Sequence, residues 1–573
     1  MSDRRRGSRS FVAVVLTALV LAGLAGVSAD SSAQTIKGPE ETRPELPTYT
    51  APSDQPPLEL PEVALPPQAE RERLASGLRV LVSGWRVVGS TVFTDADFAR
   101  VLAPFTGREI GSEELVAARD AVTRLYVDNG YVSSGAVLPD QAVAAGVVEL
   151  QVVEGRLGEV SVRGTRWLRR GWLIARAKRG ASEPLNVTDL ERELELLQQA
   201  PQIRRLDARL SPGARRDESV LDLSVEEAFP FQLSLRAAND IATSIGGERV
   251  DATLADIDVT GNADTLRATY SQGQGLWEWD ASYDVPFTPW DTRLALFWNQ
   301  SKSKVVEEPF SDLDVKSERT SYGATLSQPL FETVLSRLEL GVTGELQRSR
   351  LRILGEDFSF TEGIDDGRAK ETVLRPFVSF IHRSSVQVVA LRVSGNFGID
   401  AFDATMAGDS NIPDARFTYW LAQAQLARRL PESWRSSQLI ARLDLQLSQD
   451  PLLGLDQLSI GGADTVRGYH VNQIVRDSGA IASLELRIPV TRDASGRDRL
   501  QIAPFVDWGK AWNHEETLGL RWLASAGVGL RYAIADRATF AVYWGGRLRH
   551  VDDQRGGGLQ NSGVSIEMNV VAF

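Results

Sequence analysis

The chain has 573 residues, with 63 Lys and Arg against 76 Asp and Glu, a formal net charge of −13, and no cysteine. The length allows several domains, the acidic balance argues against a general nucleic-acid binder, and the cysteine count excludes disulfides, thiolate chemistry and cysteine-bound metal. The 48 glycines and 13 tryptophans suit a protein with many tight turns and aromatic belts at a membrane surface.

Arg4, Arg5, Arg6 and Arg9 precede an uncharged apolar stretch from Phe11 to Leu24. Small residues follow, with candidate cleavage after Ala29 or Ala33. This is the pattern of a secretory signal, expected over residues 1–33. The apolar stretch is short against the ~20 residues of a spanning helix, and no later run is long enough. The chain is therefore expected to leave the cytoplasm without a helical membrane span. Residues 34–73 hold nine prolines, from Pro39 to Pro67, which prevent regular helix or strand and predict a mobile or polyproline-like tether.

Two small α+β modules are expected next, over residues 74–155 and 156–228. The first reads as a strand from Leu78 to Val88, then a helix capped by Thr94 or Asp95 and running through Leu102. A second helix, capped by Ser112, carries Leu115, Ala118, Val122 and Leu125 on one face. Asn129-Gly130 stops it. Strands Tyr131–Leu138 and Val147–Val153 complete the β-α-α-β-β order. The second module repeats that order. Its strand Glu159–Arg163 leads to a basic helix around Leu168–Ala177 and a helix after Thr188, where Thr188 and Glu191 have capping-box spacing. Leu190, Leu194 and Leu197 mark the apolar face. Strands Arg204–Leu210 and Ser219–Val225 flank the turn Ser211-Pro212-Gly213. The basic run Arg163, Arg166, Arg169, Arg170, Arg176, Lys178 and Arg179 admits two readings: a solvated surface, or a contact for acidic polypeptide segments or lipid headgroups.

From residue 229 to 573 the pattern is sustained alternation. Leu338, Leu340, Val342 and Leu346 alternate with Arg337, Glu339, Thr343, Glu345 and Gln347. Ala441, Leu443, Leu445 and Leu447 alternate with Arg442, Asp444, Gln446 and Ser448. Leu484, Leu486 and Ile488 alternate with Ser483, Glu485 and Arg487. Period-two segments of about ten residues predict a transmembrane antiparallel β-barrel, with one face in lipid and the other lining a polar lumen. A closed barrel is the strand architecture that pairs every backbone group in lipid. Thr260-Gly261-Asn262-Ala263-Asp264 and Thr288-Pro289-Trp290-Asp291 are turn candidates.

Within this region lies Gly461-Gly462-Ala463-Asp464-Thr465-Val466-Arg467-Gly468-Tyr469, a lone cation among small residues. With Phe505-Val506-Asp507-Trp508-Gly509, the early hairpin Asp256 to Leu266, and the module pattern Asn129-Gly130-Tyr131-Val132, Leu138-Pro139-Asp140-Gln141, Gly146 and Val152-Val153-Glu154-Gly155, it resembles the outer-membrane transporters of two-partner secretion, which export haemolysins and filamentous adhesins. The resemblance runs from about residue 75 to the end. It implies two periplasmic POTRA modules, then a barrel of sixteen strands with a loop near 454–480 folded into the lumen. Val466, Arg467, Gly468 and Tyr469 would form that loop's conserved core. Arg467 would pair with Asp507 on the inner wall, on a strand that also carries Phe505 and Gly509. The expected partners are a secreted exoprotein, outer-membrane lipid and, during biogenesis, the barrel-assembly machinery. The exoprotein would be captured in the periplasm, with Tyr131, Leu138, Pro139, Gln141 and Gly155 as candidate client contacts.

Enzyme chemistry has little support. His382, His470, His514 and His550 are scattered without metal-ligand spacing, and no Gly-x-Ser-x-Gly elbow or phosphate loop occurs. No cofactor and no metal are expected. Two other functions fit parts of the pattern. A barrel-assembly or insertion factor would carry more than two modules, and a passive porin would need neither modules nor the Arg467 loop. The terminal Phe573 resembles the signal read by the assembly machinery. Val564, Ile566, Met568 and Val570 alternate out of phase with it, which a bulge would correct.

Overall fold

A computed structural model describes residues 79–573 apart from 142, 144, 309, 360–365, 408–411, 515–518, 535–536, 552–557 and 573. The expected signal, the tether and Phe573 lie outside the described residues. The chain divides into two compact units, with a boundary between Ala228 and Phe229.

In the first module the expected strand from Leu78 to Val88 is two. Arg79–Val82 pairs with a strand not anticipated from the sequence, Arg108–Gly111. Gly84–Val88 runs parallel to Val147–Val153, which also pairs with the three-residue strand Gly135–Val137. The break falls at Ser83, whose N–H donates to Gly146 O at 2.8 Å. Helix Asp95–Leu102 begins at a capping box in which the Thr94 N–H and hydroxyl both donate to Asp97, at 3.1 and 2.7 Å. Helix Ser112–Asp128 is capped at Gly111, not Ser112. Its third residue, Glu114, accepts the Gly111 N–H at 3.2 Å. The buried face centres on Val116, Ala118, Val122 and Tyr126, displaced from the expected Leu115 and Leu125. Tyr126 fills the core beside Phe98, Leu102 and Leu150, and its hydroxyl donates to Ser90 Oγ at 2.6 Å.

The second module has strand order Arg156–Arg163, Glu218–Glu227, Ile203–Pro212. Helices Arg170–Arg179 and Val187–Gln198 complete it. The second of these is capped by Asn186, whose side chain accepts the Thr188 N–H at 2.9 Å. Thr188 is thus inside the helix, not its cap. Leu190, Leu194 and Leu197 are buried, as their spacing requires. The basic run is not a single solvated face: Arg176, buried, and Arg179, partly buried, both pair with Glu193, at 3.3 and 2.6 Å. The modules meet through three short bonds, Leu185 N to Gly155 O at 2.7 Å, Val187 N to Gly130 O at 2.9 Å and Asn186 Nδ2 to Asn129 O at 3.1 Å.

The second unit is a closed antiparallel barrel. Sixteen strands lie among the described residues, with a two-residue bridge, Glu356–Asp357, folded against the strand Ser336–Ile353. The first strand, Phe231–Ala238, closes on the last, Val564–Val571. That last strand pairs without a register shift from Val564 to Val571, so no bulge occurs within it.

Burial follows the alternation, inverted relative to a water-soluble protein. Leu443, Leu484 and Val506 are about half exposed, while Asp444, Glu485 and Asp507, the next residue in each case, are buried. Apolar side chains on the outer face need lipid as their solvent, and the charged inner face needs hydrogen-bonding partners inside the barrel.

The in-folded loop as candidate functional site

Between the strands Gln438–Ser448 and Ser478–Arg492 the chain turns inward and supplies those partners. Its stem is a small hairpin, Leu458–Ile460 paired with Ile474–Arg476. Gly461 and Gly462 turn the backbone at φ +117° and +102°. A Cβ on Gly461 would lie 2.3 Å from His470 O, which explains the glycine. The loop has an apolar floor in which Ile460, Val466 and Tyr469 pack with Ile481, Ala511 and Leu523 of the wall. Gly509 makes room for it, since a Cβ there would stand 2.7 Å from Ile460 and 3.2 Å from Val466.

Arg467 sits at the centre. Its backbone N–H donates to Asp507 Oδ2 at 3.0 Å, its Nε to the same oxygen at 2.8 Å, and its Nη2 to Oδ1 at 2.9 Å. Nη1 donates to Glu485 and Nη2 also to Ser483 Oγ at 3.2 Å. The guanidinium stacks on Phe505 with its carbon 3.6 Å from the ring centroid, and Tyr543 lies at 4.9 Å. Phe505 reaches that position because residue 527 is glycine; a Cβ there would lie 2.6 Å from the ring. Asp507 has no exposed surface. A planar cation held by two carboxylates, a hydroxyl and two aromatic rings is a site for arginine, not lysine.

The residues either side of Arg467 complete the seat. Gly468 (φ +93°) approaches Gly545 so closely that a Cβ would be 2.6 Å from Gly545 O. Its own carbonyl accepts Arg547 Nε at 2.7 Å. The Tyr469 hydroxyl lies 2.8 Å from the carbonyl oxygens of both Ala524 and Arg549, and accepts the Arg549 N–H at 3.1 Å. The structure thus brings Val466, Arg467, Gly468, Tyr469, Phe505, Asp507 and Gly509 into one cluster. Ser483, Glu485, Tyr543 and Gly545 belong to it as well. Ser483 and Glu485 stand on the polar side of an alternation visible in the sequence, but nothing there placed them against Arg467.

At the root of the loop a second polar cluster is buried, unsuspected from the sequence. Asp456 Oδ1 accepts Arg375 Nη1 at 3.0 Å and the Tyr419 hydroxyl at 2.7 Å. Arg375 also reaches Glu345 Oε2 at 3.2 Å and Asn396 Oδ1 at 3.1 Å. Gln446 donates through Nε2 to the carbonyls of both Asp456 and Asp477, at 2.9 and 3.0 Å, joining the two legs of the loop. Among the described residues no group of three or more His, Asp or Glu is placed to hold a metal ion.

The module residues singled out in the sequence are engaged within their own module. Tyr131 packs edge-on to Phe93 and Tyr126, and Leu138 borders the core. Gln141 pairs with both backbone groups of Glu149, at 2.7 Å each, in place of a strand residue. Gly155 donates to Ser134 Oγ at 2.9 Å, and a Cβ on it would meet Ser133 at 2.3 Å. Pro139 lies half-buried on the same segment.

Comparison with known proteins places this geometry in context. Residues 217–532 match the family described as haemolysin secretion/activation protein ShlB/FhaC/HecB. Residues 80–155 match the POTRA domain of ShlB type. The outer membrane transporter CdiB of Escherichia coli is 25% identical over 445 residues, 74% of this chain and 71% of that protein. The heme/hemopexin transporter protein HuxB of Haemophilus influenzae is 21% identical over 472 residues, 79% of this chain and 80% of that protein. Among solved structures, CdiB from Escherichia coli superposes with a TM-score of 0.64 at 21% identity, over 89% of this chain and 93% of that one. BamA from Haemophilus ducreyi shares the fold at a TM-score of 0.53 and 14% identity, over 86% of this chain and 99% of that one.

Proposed function

Because the chain belongs to the haemolysin secretion/activation family of ShlB, FhaC and HecB, we propose that its loop 454–480 holds the export route closed at rest and yields when a client is engaged. The protein is an outer-membrane transporter of two-partner secretion, with its barrel in the outer membrane and its POTRA modules in the periplasm. Its partner is an exoprotein. The proposed client is an unfolded adhesin or haemolysin, with outer-membrane lipid and the barrel-assembly machinery as further partners.

The observation that carries the proposal is the grip on Arg467. Three hydrogen bonds to Asp507, one of them from the main chain, fix the loop without a covalent link. Such a contact is strong at rest and reversible.

Client capture follows from sheet edges. Gly135–Val137 and Gly84–Val88 are the edges of the first module's three-stranded sheet, and Arg156–Arg163 and Ile203–Pro212 those of the second. An extended chain can add to such an edge through backbone bonds, with little demand on its sequence. In the first module Pro139 and Gln141, next to Gly135–Val137, are the proposed contact, shaped from within by Tyr131, Leu138 and Gly155. Residues 1–33 are proposed as the export signal and 34–73 as the tether. The ShlB-type module and the family match favour secretion over a barrel-assembly role or a passive pore; the likeness to BamA is one of fold.

The test is complementation of a strain lacking this gene, with immunodetection of its exoprotein in the medium. Wild type restores export. Arg467→Ala is expected to fail while its barrel still shows heat-modifiable migration. Normal export by Arg467→Ala and Asp507→Ala alike would remove the loop from the mechanism.

A further inference from the structure

We infer that the loop is held at two ends by independent locks, and that Asp456 and Arg375 are positioning residues forming the second. This deepens the reading of the loop as the closing element and rests on it.

The two clusters share no residue. The tip lock draws Ser483, Glu485, Phe505, Asp507 and Tyr543 from the strands Ser478–Arg492, Asp498–Trp512 and Ala538–Arg547. The root lock draws Glu345, Arg375, Asn396 and Tyr419 from the strands Ser336–Ile353, Arg368–Arg383, Gln387–Gly398 and Thr418–Arg429. These are different arcs of the barrel wall. The loop therefore braces one arc against another.

The root lock is buried about as deeply as the tip. Asp456 is 6% exposed, Arg375 8%, Tyr419 5% and Glu345 2%. Asp456 is the member contributed by the loop; the others belong to the wall. Two wall donors, a guanidinium and a phenol, converge on one of its oxygens. Leu452, preceding it, is buried against Val373, Phe417 and Tyr419. Releasing the tip would leave this contact whole, so the loop root would stay on the wall and the lumen would stay obstructed.

The test is single-channel recording of the full-length protein in planar lipid bilayers. Four forms are compared: wild type, Arg467→Ala, Asp456→Ala and the double variant. Two independent locks predict that the effects multiply: each single change should raise the closed-to-open equilibrium constant, and the double variant should raise it by roughly the product of the two single factors. A double variant indistinguishable from Arg467→Ala overturns the second lock but leaves the role of Arg467 intact. No effect of Arg467→Ala at all counts against the loop as closing element.

A second measurement covers failure of the double variant to fold. The chain has no cysteine, so Leu452→Cys introduces a unique thiol, buried while the root is seated. Combined with the near-isosteric Asp456→Asn, its labelling by a water-soluble maleimide should be roughly tenfold faster than with Asp456 intact. Equal labelling rates overturn the proposal. Heat-modifiable migration identical to wild type shows that the change is not general unfolding.

Discussion

Arg467 binds Asp507 through its main chain and its side chain at once: the backbone N–H and Nε share Oδ2, at 3.0 and 2.8 Å, and Nη2 takes Oδ1 at 2.9 Å. The first bond fixes the loop backbone and the other two fix the guanidinium. Breaking a buried pair by removing one partner costs about 3–5 kcal/mol, against about 1.4 kcal/mol per factor of ten in an equilibrium. Asp507→Asn and Arg467→Lys should therefore both unseat the tip. Lysine keeps the charge but loses the fork and the stacking on Phe505. Exoprotein in the medium should fall by more than about tenfold for each, with barrel assembly unchanged by heat-modifiable migration. Full rescue by Arg467→Lys would show that charge alone suffices.

Gly468→Ala tests close approach without touching any charge. The residue has φ +93°, and the new Cβ would fall 2.6 Å from Gly545 O. A left-handed non-glycine residue costs about 1–3 kcal/mol, and here a backbone clash is added. The loop tip should become accessible to added protease in intact outer membranes, and export should drop. Gly545→Ala, clashing from the other side with Arg467, should give the same result. Protection equal to wild type in both would mean that the seat adapts.

Barrel closure depends on polar side chains beyond the ladder. The first and last strands share five paired positions, from Ser234↔Val571 to Ala238↔Glu567. Past that point Asn239 takes over: its Oδ1 accepts Ile566 N at 2.6 Å and its Nδ2 donates to Val564 O at 2.9 Å. Gln560 Nε2 adds bonds to the carbonyls of Asn239 and Ile241, at 2.9 and 2.8 Å. Asn239→Ala leaves part-buried backbone groups of Val564 and Ile566 without these partners, at a cost of up to about 1–3 kcal/mol. The temperature at which the barrel loses its folded mobility in gels should fall, and fall further in the Asn239→Ala, Gln560→Ala double variant. An unchanged transition would show that the ladder suffices.

The modules carry a dependence on pH with a definite sign. Hydrogen bonds from Thr94 hold the Asp97 carboxyl below its ordinary value, and a bond from Arg108, then the Gly111 N–H, does the same for Glu114. A carboxylate whose folded value is depressed adds stability above its unfolded value, and that stability is lost as pH falls through the folded value. Urea midpoints of the segment 79–228, followed by tryptophan fluorescence, should hold steady from neutral pH down to the usual carboxylate range near about 4 and drop below it. Thr94→Ala and Arg108→Ala together should flatten that drop.

The sequence made the barrel legible because lipid outside and polar contacts inside impose a period of two on every strand, and Leu484 against Glu485 is enough to assign the faces. It gave Arg467 and Asp507 as a pair through family resemblance. It could not give Glu485 or Ser483 as partners, because which lumen-facing residue meets the loop depends on how deep the loop sits. Asp456 with Arg375 was harder still, since four strands must be in register before Glu345, Arg375, Asn396 and Tyr419 converge. Helix caps fell before the expected residues, by one position at Gly111 and by two at Asn186. Gly111 displaced Ser112 because Glu114 reaches back to its N–H, and Asn186 displaced Thr188 because its side chain caps the helix while bonding to Asn129. Tyr131 and Gly155 stand out in the sequence, yet the module's own packing uses them.

Gln446 has a mechanical consequence. By bonding to the carbonyls of Asp456 and Asp477 together, it pinches the incoming and outgoing strands of the loop into a neck. A loop with a fixed neck cannot spool out of the barrel like slack thread; it turns about one pivot as a single finger. On the proposed reading, whatever displaces that finger must first break the contacts of Arg467 and Asp456, after which it has only to rotate it, and the same pivot would return Arg467 to within reach of Asp507.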